Sequence, residues 1–385
     1  MTSIHKIQGQ VQNYAWGGSC FIPELIGFSN PDNTACAEYW LGIHPAAPAL
    51  IADTHHEQTL QQFIAENEIS APQFLLKVLD VKEMLSIQVH PTPEQAKAGY
   101  AKENKLGISL NAKNRNYKDV SDKPELALAL SEFWLLHGFR SLEEIKLALQ
   151  NKPYLKPLLQ IVDSQGLKRA FETALNDNDA SVKTMHKALY EDVIAGKYQK
   201  NQIEFWIQRW IRKNPDTLNG ILTLYMLNLV KLEKGEAIYQ PSGLLHAYLE
   251  GQNIELMANS DNVLRAGLTP KHIDVPELLK IANIAPSNTA EYIISPQRAN
   301  SYEQRFPTPF KEFELSEIST HTPEFFHWQA KTSEILLCIE GDITFVETQS
   351  DHISSTSGDA YFIPPGTKVT ITSENCRLFR ARNLA

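Results

Sequence analysis

Hydrophobic positions along the chain follow two periods. Residues 1–135 mix short apolar runs with loops and a few helices. Residues 74–79 (Phe-Leu-Leu-Lys-Val-Leu) are a nearly continuous apolar run broken by one lysine, as in a buried strand. Residues 84–90 alternate instead. On a strand, that period puts Ser86, Gln88 and His90 on one face and Ile87 and Val89 on the other. Leu60, Phe63 and Ile64 recur at helical spacing within residues 58–69. The period changes at Ser141-Leu142-Glu143-Glu144, a capping-box start, and stays helical to about residue 231. Val182, Met185, Leu189 and Val193 form one apolar stripe; Ile203, Trp206 and Trp210 begin another. Such stripes are packing faces. After Lys234 strands return, and residues 335–339 and 343–346 around Glu340-Gly341-Asp342 predict a hairpin.

An internal repeat organises the β-rich parts. Gly235-Glu236-Ala237 leads to Pro241-Ser242-Gly243, and Gly358-Asp359-Ala360 leads to Pro364-Pro365-Gly366 at the same spacing. Each copy reads as a turn, a short strand ending at proline, and a tight turn relieved by glycine. The pattern resembles cupin-type jelly rolls, in which the third residue after the second glycine is a histidine inside the barrel. The first copy has His246 there and the second has Val369. The expected fold is mixed and mainly β: two cupin-type jelly-roll β-barrels with an inserted α-helical domain. Residues 1–140 and 233–285 would form the catalytic jelly roll, 141–232 the helical insertion, and 286–385 a C-terminal jelly roll without metal ligands.

Composition narrows the function. The chain has 385 residues, 43% hydrophobic and 21% charged, enough for two to three domains with real cores. With 36 basic and 45 acidic residues the net charge is −9, which disfavours nucleic acid and anionic membranes as partners. Any anion must be held by a local basic pocket. No apolar run reaches the ~18 residues of a membrane helix. The start, Met1-Thr2-Ser3-Ile4-His5-Lys6, shows no secretory pattern, so a cytoplasmic location is expected. Cys20, Cys36, Cys338 and Cys376 are scattered and form no C-x-x-C, as expected of reduced thiols.

Three segments supply donors for a metal. Gln88 and His90 lie on the alternating strand, Glu125 follows Asp122-Lys123-Pro124, and His246 sits on the repeated turn. Nitrogen and oxygen donors without thiolate suit zinc; manganese, iron and cobalt also fit. A divalent ion with one carboxylate ligand stays cationic and can stabilise an oxyanion. In residues 255–271, Asn259-Ser260-Asp261-Asn262 makes a turn. Arg265 and Lys271 flank a glycine-containing loop and can clamp an anion such as phosphate.

Asn13-Tyr14-Ala15-Trp16-Gly17, residues 74–91, Tyr117-Lys118-Asp119 with Lys123-Pro124-Glu125, and residues 259–271 together resemble the type I mannose-6-phosphate isomerases, in order along essentially the whole chain. The resemblance implies one zinc ion per chain and cofactor-free interconversion of mannose 6-phosphate and fructose 6-phosphate. It implies zinc ligands at Gln88, His90, Glu125 and His246, and an active-site arginine at Arg265. Pocket lysines fall at Lys77, Lys123 and Lys271, and pocket acids at Glu255 and Asp261. Ser86 matches a serine linked to the sugar phosphate, and Trp16 falls among the substrate-binding positions. The expected partner is a small sugar phosphate, and the expected state a monomer. The chain departs from the family pattern at Asp122, where many bacterial members carry a histidine, so that residue's role does not carry over. Aldose–ketose isomerisation needs a base to move a proton between neighbouring carbons through a cis-enediolate. Glu255, Asp261, or a lysine lowered by the nearby cation (Lys77 or Lys123) are all candidates. A related isomerase of another sugar and a non-catalytic sugar-binding metallo-cupin are the competing readings; the basic cluster Arg265, Lys271 and Lys77 argues for a phosphate.

Overall fold

One long strand, His246–Ala258, connects most of the first β region. The computed structural model describes residues 4–52, 57–346 and 352–384. The second half of this strand pairs with Phe74–Val81 on one side and Glu125–Ala129 on the other. Its first half pairs with Phe133–Phe139 and, through His246, with Ile87–Val89. Between the halves sits Gly251 with φ +120°, where a Cβ would lie 2.4 Å from the Glu132 carbonyl. Only glycine lets the strand change sheets at that point.

The two sheets so joined pack face to face. Leu79, Ala127 and Ala129 from one meet Phe133, Leu135 and Tyr248 from the other. The opposite faces are covered as well. Leu76, Val78, Leu126 and Ile254 pack against Ile335, Leu337, Phe362 and Phe379 of the C-terminal β region. Ile87, Val89 and Leu136 pack against the helical region, including Leu155, Val182 and Trp206. Phe74–Val81 is therefore buried along its whole length, which explains its continuous apolar run. Lys77 shares its inner face with Leu79.

Five helices between Leu142 and Lys213 form the covering layer; the helical pattern expected to reach about residue 231 stops short, because Leu227–Leu232 is a strand paired with Phe133–Phe139. The Ser141 capping box is formed: the Ser141 hydroxyl accepts from the Glu144 backbone at 3.2 Å, and Glu144 accepts from the Ser141 backbone at 3.0 Å. Val182, Met185, Leu189 and Val193 are all buried, as their stripe predicts.

An eight-stranded and a four-stranded sheet make up the C-terminal region. The first strand of the chain, His5–Gln8, joins the eight-stranded sheet beside Ala360–Ile363. None of the sheets closes into a barrel among the described residues. The hairpin expected around Gly341 does not form. Glu334–Gly341 pairs within the eight-stranded sheet, and Ile343–Val346 pairs within the four-stranded one. Gly341, at φ +82°, turns the chain from one sheet to the other, against the Asn375 carbonyl.

Both repeat copies fold alike. Gly235 and Gly358 have φ near +90°, and Gly243 and Gly366 have φ +82° and +84°. The strands between them are Ala237–Gln240 and Ala360–Ile363. The interiors differ. Val369 packs with Phe326, Phe345 and Ile371 in an apolar core. His246 opens onto a polar one.

Candidate metal centre and cleft

Ile87–Val89 lies between the start of His246–Ala258 and the strand Leu264–Gly267. Gln88 is thus the direct partner of both His246 and Arg265, and paired residues share a face. His90 follows the strand, held where its carbonyl accepts from Gly243 of the repeated turn at 2.8 Å. Glu125 arrives from the facing sheet, opposite Met257 and Gln240.

Three of these side chains converge. His90 Nε2 lies 3.3 Å from one Glu125 oxygen, and His246 Nε2 lies 3.2 Å from the other. All three candidate ligand atoms fall within 4.8 Å of one another, and all three residues are buried. His90 Nδ1 sits 2.6 Å from the Asn262 carbonyl, and His246 Nδ1 sits 3.0 Å from the Leu244 carbonyl. A carbonyl only accepts, so both Nδ1 atoms carry a proton, and each Nε2 is the ring atom left to ligate. Neither Nε2 has a hydrogen-bond partner among the described residues. Two buried lone pairs aimed at a carboxylate are tolerable only with a cation between them. The donor set fits a divalent ion such as zinc, with the Gln88 amide on the adjoining wall.

The electrostatics agree. Burial holds His90 down at about 4, against the pull of Glu125, so the imidazole is neutral. Burial pushes the Glu125 carboxyl up, but Lys123 and His90 outweigh it and keep it well below the usual range. Lys123 Nζ lies 2.8 Å from Glu125.

A cleft of about 540 Å³ opens in front of Gln88 and Glu125. Lys77, Glu255, Asp261 and Arg265 line it, as do Ser86, Trp16, Lys123 and Lys271. His90 and His246 are not among its lining residues. Asp122, where the family histidine would stand, does not line it either.

The geometry sorts the proton-transfer candidates. Lys77 Nζ lies 3.0 Å from Glu255 and 3.3 Å from Glu38, and 5.0 Å over the Trp40 ring. Burial disfavours its charge, but the two carboxylates win and raise its pKa. Among the candidates, Lys77 is held as an ammonium by these two carboxylates. Burial raises the Glu255 carboxyl, with Lys77 opposing and Glu125 adding. Asp261 goes the other way, because a 3.3 Å contact from His44 holds its carboxyl low. Arg265 has no carboxylate partner among the described residues, and burial lowers its pKa. Lys271 is lowered by burial and by Arg265. Among the described residues, these two cations of the cleft have no carboxylate partner and can meet an anion.

Sequence reasoning missed several neighbours. His44 lines the cleft and pairs with Asp261. His137 is the direct partner of His246 on the next strand, and Gln240 that of Glu125. No local pattern marks any of them.

The buried histidines set an acid limit. Burial holds His137 at about 3 and His90 at about 4, whereas an unfolded histidine titrates near ~6.5. Below that pH the unfolded chain binds protons that the fold refuses. Stability of the metal-free protein therefore falls as pH drops from about 6.5 to about 4. Urea unfolding across this window checks it; stability that is flat or rises on acidification would contradict neutral buried imidazoles.

A model of the catalytic domain of type I phosphomannose isomerase matches residues 4–142. The chain is 34% identical over 398 residues to the mannose-6-phosphate isomerase of Escherichia coli strain K12, covering 99% of this chain and 100% of that one. It is 30% identical over 412 residues to the Homo sapiens enzyme of that name, covering 96% and 95%. Among solved structures it is similar to a zinc-bound mannose 6-phosphate isomerase, with TM-score 0.90, 32% identity and full coverage of both chains. The Salmonella typhimurium enzyme bound to fructose 6-phosphate and zinc gives TM-score 0.89 at 33% identity, again with full coverage of both.

Proposed function

Because the chain belongs to the type I mannose-6-phosphate isomerases, we propose that it interconverts mannose 6-phosphate and fructose 6-phosphate with one zinc ion per chain. The observation that carries this is the pair of unpartnered imidazole nitrogens facing Glu125 at the wall of a cleft that holds an unpaired arginine. His90, His246, Glu125 and Gln88 hold the ion. When bound, zinc supplies a Lewis acid that favours negative charge on the substrate's oxygens.

The chain's own residues do the rest. Lys271 and Ser86 bind the phosphate. Arg265, beside Gln88, stabilises the cis-enediolate formed when the C2 proton of the open-chain aldose leaves. Glu255 is the carboxylate whose burial raises its proton affinity, so it takes the C2 proton and returns it to C1, while the hydroxyl proton on O2 passes to O1 and leaves the C2 carbonyl. Lys77 keeps Glu255 oriented through its 3.0 Å contact and supplies positive charge. Trp16 and Trp40 wall the cleft and limit water around the sugar.

Glu255→Gln is expected to lower kcat by about 10²–10⁴-fold with little change in KM. Asp261→Asn, at a carboxyl held low by His44, is expected to cost less than about tenfold. Steady-state kinetics of the two variants decide; the reverse order would move the base to Asp261.

The same reading takes the packed sheets as two cupin-type jelly rolls, divided at residues 1–140, 141–232, 233–285 and 286–385. It takes the protein as a cytoplasmic monomer, as the sequence leads us to expect. The direct test of function is an assay of the purified protein with fructose 6-phosphate, before and after chelation. Activity that disappears with the metal and returns with zinc supports the proposal. Activity surviving complete metal removal, or a preference for unphosphorylated mannose, overturns it.

A further inference from the structure

The acceptor that fixes the His90 tautomer is a backbone carbonyl, that of Asn262. No side-chain replacement can delete it. Its position, however, is set by the side chain on the same residue. Asn262 is fully buried, and its amide is saturated. The Asn262 Oδ1 accepts from the backbone of Lys118 at 2.6 Å and of Asp119 at 3.2 Å. The Asn262 Nδ2 donates to the carbonyls of Ser121 at 2.7 Å and Asp119 at 3.0 Å, and to the Asp119 carboxylate at 3.1 Å.

The Asp119 carboxylate closes the other half of the lock. It accepts from the Ser260 hydroxyl at 2.9 Å and from the Asp261 backbone at 2.9 Å. The turn 259–262 and the loop 117–121 are thus tied together on both sides of the carbonyl that meets His90. A saturated amide in a dry site has one low-energy orientation, because any rotation leaves buried donors unpaired.

We propose that Asn262, locked by Asp119, is a positioning residue for the metal: it fixes the carbonyl that holds the His90 proton on Nδ1 and so keeps Nε2 aimed at the ion. This rests on the zinc reading above. The arrangement also couples the metal ligand to the loop carrying Asp261 and leading to Arg265. An outer hydrogen bond that orients a ligating imidazole typically matters 10–100-fold in metal affinity.

The test measures zinc dissociation constants by competition with a chromophoric chelator. It compares the wild-type chain, Asn262→Ala, and Leu189→Ala, a core variant in the helical region that lowers stability without touching the site. Asn262→Ala is expected to bind zinc about 10–100-fold more weakly, while Leu189→Ala binds as wild type. A second readout needs no activity. Nitrogen shifts of the His90 ring in the metal-free protein report the Nδ1–H tautomer in wild type and a mixture of tautomers in Asn262→Ala. Should Asn262→Ala fail to fold, Ser260→Ala removes the hydroxyl that donates to the Asp119 carboxylate and accepts from the Asn262 backbone at 3.3 Å, and is expected to weaken zinc about two- to fivefold, below the full outer-bond effect. Wild-type zinc binding with both lock variants within twofold of Leu189→Ala would overturn the inference. A wild-type chain that binds no zinc would instead overturn the metal reading beneath it.

Discussion

Arg265→Ala is expected to lower kcat by about two to three orders of magnitude, equivalent to about 2.7–4 kcal/mol of transition-state stabilisation, with the zinc content unchanged. The expectation follows from how this cation is held. Strand pairing places Arg265 directly opposite Gln88, which also faces His246. No carboxylate neutralises it among the described residues, whereas in the same cleft Lys77 has two and Lys123 has one. A half-buried guanidinium without a carboxylate partner is disposed to take an anion. In the proposed reaction the substrate brings two, its phosphate and the enediolate that would develop on C1 and C2. Arg265→Lys keeps the charge but loses the planar fork, so it is expected to recover only part of the rate. Kinetics and metal analysis on the same preparations check both variants, and near-normal turnover in Arg265→Ala would remove it from the chemistry.

The second large effect is on metal retention. Glu125→Gln is expected to weaken zinc by at least about 100-fold and to leave purified protein substoichiometric in metal. Glu125 is the one carboxylate among the candidate ligands, and its two oxygens face the two unpartnered imidazole nitrogens. Substitution removes the negative charge that offsets the cation, and it also leaves the Lys123 ammonium beside a neutral amide. Loss of one partner from a buried charged cluster is costly in itself, so lower stability of the metal-free variant is expected too. Excess zinc should restore part of the activity. Full zinc stoichiometry in Glu125→Gln after dialysis would take Glu125 out of the ligand set.

Two of the three donor-bearing segments sit on a local pattern, whereas Glu125, after an ordinary Asp122-Lys123-Pro124 turn, carries none. Period two placed Gln88 and His90 on one face, and the repeated glycine–proline turn marked His246 by comparison with Val369. The helical stretch announced itself through the Ser141 cap and its stripes. The hairpin at Gly341 failed because a glycine turn specifies a change of direction, not which strand is met next. The supporting groups escaped notice because they act across the fold. His44 reaches Asp261, and Asp119 reaches Asn262, only after several sheets have assembled. The charge state of Lys77 was likewise hidden. A nearby cation favours a lowered lysine, but strand pairing brings Glu255 directly opposite Lys77, with Glu38 also in reach.

Diffraction from zinc-loaded crystals at the zinc absorption edge tests the central claim most directly. The account predicts one anomalous peak per chain, about 2.0–2.2 Å from His90 Nε2, His246 Nε2 and a Glu125 oxygen, with the Gln88 amide oxygen completing the set. A peak elsewhere, or no peak between these side chains in an active enzyme, would contradict it.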